Sequence, residues 1–80
     1  MESIDKLKSA FQESMPLGPE VDFERVEYGK TEGWDSVAHM ALIAQIEMVF
    51  DIMLATEDVI DLSSFGRAKE ILGKYGVTLA

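Results

Sequence analysis

The stretch Gly33–Ile52, GWDSVAHMALIAQIEMVFDI, decides the fold. Asp35 is a preferred N-cap because its short carboxylate can accept a free backbone N–H of the first turn. From Ser36 to Phe50 no Gly or Pro interrupts, so the segment predicts a helix from Asp35 to about Phe50. At about 100° per residue its apolar side chains separate into two stripes. Leu42, Ile46, Val49 and Phe50 form one, with Ile43 and His39 at its edge. Val37, Met40, Ala41, Ala44 and Met48 form the other, roughly opposite. The branched set makes the better core. The Met-containing set is left either facing outward, where flexible thioethers suit a surface that meets several partners, or covered by a loop.

Working outward, Ile4, Leu7 and Phe11 recur at helical spacing and predict a first helix from Ser3, read as its N-cap, to about Ser14. Pro16, Gly18 and Pro19 stop it. From Leu17 to Gly33 no period is sustained, and a connection that long is usually functional or well packed. Val21, Phe23, Val26 and Tyr28 are expected to lie down on the core. A short helix is expected at about Thr56 to Ile60, capped by Thr56, with Glu57 and Asp58 in its first turn. A last helix is expected from about Ser64 to Tyr75, with the stripe Phe65, Ala68, Leu72 and Tyr75, and Gly76 closes it. The expected fold is all-α, a four-helix bundle of three main helices and one short one, with a long loop after the first. Residues 1–80 form a single domain, since a chain of this length supports one modest core.

Fifteen acidic residues against seven basic ones give a formal net charge of −8. On so small a domain this disfavours nucleic acid and anionic membranes and favours partners with basic surfaces. No Cys is present, which removes disulfides, thiolate metal sites and any thiol of the chain's own. The N-terminus has no basic start followed by an apolar run, and Val37 to Leu54 is too interrupted to span a bilayer. A cytoplasmic monomer with no membrane insertion is expected.

Ser36 directly follows the cap, where free N–H groups and the helix dipole favour an anion. On spacing alone, simple capping is the better account of an Asp-Ser pair. Ser36 and His39 lie one turn apart, but no Gly-x-Ser-x-Gly elbow is present and His39 points to the core edge, so no enzyme is expected. Glu57, Asp58 and Asp61 lack the calcium-loop pattern and read as a solvated face. Trp34 and His39 occupy the N′ and N4 positions of a hydrophobic staple, so the indole is expected to lie across the imidazole.

Gly33-Trp34-Asp35-Ser36-Val37 through Glu47-Met48-Val49-Phe50-Asp51-Ile52, continued by Glu57-Asp58, Leu62, Ser63-Ser64-Phe65 and Ala68, resembles the acyl carrier protein signature. The resemblance covers the last three fifths of the chain. It implies that Ser36 carries a 4'-phosphopantetheine arm, attached from coenzyme A by a phosphopantetheinyl transferase, with Asp35 helping to position that enzyme's metal and basic groups. The arm would hold an acyl intermediate as a thioester and present it to acyl-loading and acyl-processing enzymes with basic docking surfaces. Those partners would meet Val37, Met40, Ala44, Glu47 and Met48. Val37 replaces the family's usual Leu, and Ala38, Ala41 and Met48 stand where carboxylates are frequent. The resemblance therefore points to a stand-alone carrier of a specialised pathway rather than of ordinary fatty-acid synthesis. A peptidyl or aminoacyl carrier, and an acidic interaction module with an unused Ser36, stay open as alternatives.

Overall fold

The computed structural model describes residues 2–79 and contains four α-helices and no strand among them. Helix α1 spans Ser3–Ser14, α2 Ser36–Phe50, α3 Thr56–Asp61 and α4 Phe65–Lys74, with a 3-10 turn at Phe23–Arg25 in the first loop. The expected small all-α bundle is the observed one.

Asp35 caps α2, its Oδ1 accepting the Ala38 N–H at 2.9 Å. The helix ends on Asp51, which turns left-handed at φ 54°, and the Ile52 N–H then reaches back to the Glu47 carbonyl at 3.1 Å. That closure needs a residue tolerant of positive φ, which Asp is among non-glycine residues. Helix α4 ends in the same way, with Gly76 at φ 84° and the Val77 N–H on the Leu72 carbonyl at 3.1 Å. Two expected caps move by one residue. Ser3 and Thr56 are the first helical residues, while Glu2 and Ala55 hold the cap positions through backbone alone. In α4, Ser64 is the cap, accepting the Arg67 N–H at 3.0 Å, and Tyr75 lies just past the end.

Phe11 stands at the centre of the core. Its ring meets Trp34 edge-on at 5.4 Å, Phe65 at 5.2 Å and Phe23 at 6.4 Å, joining α1 to the loop, to α4 and to the approach of α2. Helix α2 buries Ala38, Leu42, Ile43 and Ile46. Val49 and Phe50, expected in the core stripe, are only half-buried, although Phe50 still packs against the core. Ile71 joins the expected α4 stripe.

The loop lies down on the core as expected at Val26, which is buried, and at Val21 and Phe23, which are half-buried. Tyr28 differs. It is 44% exposed and sets its ring edge-on to Trp34 and His39 instead. An isolated antiparallel bridge between Glu27 and Ser64 ties the loop to the start of α4.

Gly33 combines φ 91° with contact against the Pro16 ring, whose Cδ would stand 2.6 Å from a side-chain Cβ. Gly29 has φ 80° but open space around it. Gly29→Ala should therefore lose only the conformational cost of about 1–2 kcal/mol, and Gly33→Ala more, about 2–4 kcal/mol once the clash is added. Urea unfolding of both variants checks this. Equal losses would mean that Pro16 does not constrain the turn.

Candidate functional site

Ser36 occupies the first position of α2 and is exposed. Asp35 takes the third N–H of the helix and its carbonyl takes the fourth, from His39 at 2.8 Å. The N–H groups of Ser36 and Val37 precede the first intrahelical bond and remain for an anion or water. A phosphodiester on the Ser36 oxygen would meet them without any basic side chain.

The stripe that sequence left between two readings faces outward. Val37 is 78% exposed, Met40 58% and Met48 67%, with Ala41 and Ala44 exposed between them. Ala38 does not belong to this face: it is buried against the core, so a carboxylate there would be excluded. Met53 and Ile60 extend the apolar surface beyond α2. Glu47 stands at its edge, half-buried, with Oε2 accepting the Leu54 N–H at 2.9 Å. Its carboxylate fastens the segment after α2 and has one oxygen left for a partner.

Beside this face lies a cleft of about 340 Å³, lined by Tyr28, His39, Met40, Val59, Ile60, Leu62 and Ser63. Its walls are the loop, α2 and α3, and Met40 lies one turn, about 6 Å, along α2 from Ser36. A second hollow of about 320 Å³ between α1, the 3-10 turn and α4 includes Phe23, Phe65, Lys8 and Lys69 but no residue of α2.

Trp34 is buried and touches His39, but not by overlap of faces. Its Nε1–H donates to His39 Nδ1 at 3.0 Å, and the two rings are inclined by only 21°. An N–H bond lies in its ring plane, so the rings sit nearly coplanar, edge to edge. The expected staple positions are in contact, joined by a hydrogen bond rather than a hydrophobic overlay. With Nδ1 accepting, Nε2 carries the proton and donates to the Val59 carbonyl at 2.7 Å. Both ring nitrogens are thereby engaged, neither of them with Ser36.

Of the three residues read as a solvated face, Glu57 and Asp61 are exposed, and Asp58 is not. It is 5% exposed, accepting from Lys74 Nζ and from the Tyr75 hydroxyl, each at 2.6 Å. The same hydroxyl accepts the Ala55 N–H at 2.9 Å, just before the first helical residue of α3. Asp61 pairs with Arg67. No cluster of potential metal ligands occurs among the described residues, and none of their helices is long and apolar enough to cross a membrane.

The Lys74 ammonium, first, and the Tyr75 hydroxyl hold the Asp58 carboxyl below its ordinary range, and the Asp58 charge in turn raises both Lys74 and Tyr75. A depressed acid stabilises the fold above its unfolded pKa of about 3.9 and loses that contribution as pH falls through the folded value. Raised Lys and Tyr groups stabilise below about pH 10 and lose it above. The triad should thus steady α3 across the neutral range. Asp58→Asn should lower the melting temperature at neutral pH, and the gap to the unaltered chain should close as pH is lowered below about 4. A gap that persists in acid would show that the carboxylate's charge is not what holds α3.

Compared with protein-family models, with curated proteins and with solved structures, the chain finds no match in any of the three.

Proposed function

We propose that this chain is a carrier protein that holds an acyl intermediate as a thioester on a 4'-phosphopantetheine arm attached to Ser36. The carrying observation is the juxtaposition of three features on α2. An exposed hydroxyl sits at an unfilled helix start, an exposed apolar stripe runs down the same helix, and an apolar cleft opens one turn away. A residue meant for nucleophilic chemistry would need a base, and the nearest imidazole is fully engaged elsewhere. A residue meant only to cap would turn inward, but Asp35 already does that task. Ser36 is left as a point of attachment. The arm would supply the thiol that a chain without Cys lacks, and the resemblance of Gly33–Ile52 to the acyl carrier signature agrees with that use.

The transferase would approach the start of α2 and use Asp35 to orient its cationic groups. Loading and processing enzymes would then bury Val37, Met40, Ala44 and Met48, with Glu47 at the edge. Their surfaces would be apolar at the centre and basic around it, since the domain carries −8. The cleft would shelter a cargo chain, because Met40, Val59, Ile60 and Leu62 give it alkyl and thioether walls.

Incubation with coenzyme A and a phosphopantetheinyl transferase should add one arm, read by intact mass, and Ser36→Ala should abolish it. The fold should be unchanged, since an exposed hydroxyl contributes within about 0.5 kcal/mol. Arm attachment at Ser63 or Ser64 would overturn Ser36 as the site, and none in the unaltered chain would leave an acidic interaction module as the better account. Loading assays with acyl-transfer and adenylating enzymes then separate acyl from aminoacyl cargo.

Docking provides a second test. Met48→Glu and Met40→Glu should weaken binding to a loading enzyme by about tenfold or more, as burying an unpaired charge at an interface does. Glu47→Gln should cost less, because an amide oxygen can still accept the Leu54 N–H. If titration calorimetry finds Glu47→Gln the most damaging of the three, the apolar stripe is not the docking face.

A further inference from the structure

His39 belongs to the wall of the cleft and also reaches beyond it. One ring nitrogen holds the Val59 carbonyl of α3 at 2.7 Å, and the other holds the Trp34 indole at 3.0 Å. Trp34 is two residues before Ser36, is 2% exposed and packs on Phe11. Its N–H has His39 as acceptor, and a buried donor keeps the acceptor it has. The indole and imidazole therefore move together if either moves. The far end of this strut is the weaker one. Helix α3 has six residues, and Ile60 on it is 77% exposed. Polar contacts from Asp58 and Asp61 to α4 do much to hold it. Of the two helices around the cleft, α3 is the shorter and the one with fewer buried apolar side chains, the kind of element that opens at the least cost.

We propose that His39 is a positioning residue that transmits occupancy of the cleft by a short aliphatic acyl chain to the backbone carrying Ser36. The identity of the ligand rests on the carrier reading above, whereas the link is built from this chain's own bonds. A chain settling between Met40 and Ile60 displaces the Val59 carbonyl, loosens its bond to Nε2, and lets the coplanar His39–Trp34 pair turn. Trp34 leads directly into the Asp35 cap, so the turn is felt at the start of α2. A partner that docks there can then distinguish a loaded arm from a bare one without touching the cargo. The lining fits this ligand class, with Tyr28 and Ser63 contributing the hydroxyls and alkyl or thioether groups making up most of the rest.

The test uses 1-octanol as an apolar probe on the unmodified chain, followed by NMR, and in parallel the chain loaded with an octanoyl-bearing arm whose attachment is verified by mass. In the unaltered chain octanol should shift the Met40 methyl, the Trp34 indole N–H and the Ser36 amide together. His39→Phe, a ring of similar size with neither hydrogen bond, should keep the Met40 shift and lose the Ser36 shift. His39→Gln can accept from Trp34 with its oxygen and donate to Val59 with its nitrogen, and should restore the Ser36 shift. A Ser36 shift of equal size in all three proteins overturns the proposal, as does the absence of any octanol shift at Met40. Failure of arm attachment would sink the carrier reading but leave the octanol result standing, so the two are separable.

Discussion

The edge-on contact between Phe11 and Trp34, at 5.4 Å, is the constraint on which the rest depends. In a chain of 80 residues the core is small, and one ring must serve several elements at once. Phe11 does so by meeting the loop, α4 and the approach to α2. Truncating such a ring to Ala costs about 3–5 kcal/mol, a large share of the roughly 5–15 kcal/mol that stabilises a domain. The contact also fixes a direction. With Trp34 held on Phe11, Asp35 is delivered where it caps α2, and Ser36 emerges at the surface.

Apolar packing and hydrogen bonding divide the molecule between them. Helices α1, α2 and α4 contribute the buried Leu, Ile and Phe side chains, whereas the buried residue within α3 is an aspartate. A six-residue helix is too short to be stable by itself. It is kept in place by Asp58 on Lys74 and Tyr75, Asp61 on Arg67, His39 on the Val59 carbonyl, and Leu62 just past its end. Polar bonds are directional and switch between made and broken over small displacements, while apolar contacts yield gradually.

What sequence made legible were the features whose causes are local. The α2 cap at Asp35, the end near Phe50 and the closing Gly76 each follow from one residue's own geometry. The cap readings at Ser3 and Thr56 slipped by one residue because the residues before them, Glu2 and Ala55, hold the cap positions through backbone alone. Asp58 was misread because its partners lie 16 and 17 residues further on, where no period connects them. The outward stripe of α2 could be identified but not assigned to solvent or to the loop, since that depended on where residues 17–33 would settle. The cleft was illegible for the same reason: Tyr28, His39 and Val59 come from three segments, and their meeting is a property of packing alone.

Helix α2 joins a fixed backbone to an adaptable surface, and the two properties have separate sources. Its first turn is pinned by Asp35 and by the Trp34–His39 bond. Its last turn is pinned by the left-handed Asp51 and by Glu47, whose carboxylate holds Leu54 and whose carbonyl holds Ile52. Between these clamps the exposed side chains are Met and Ala, and the helix contains no Asp, Lys or Arg and Glu47 as its one carboxylate. Small Ala side chains let another surface approach closely, and unbranched Met side chains re-pack to suit its shape. An apolar strip of this kind invites self-association, and the net charge of −8 carried by the rest of the surface opposes it. Under the proposed carrier reading, the same charge would favour a basic-rimmed partner over a second copy on the strip.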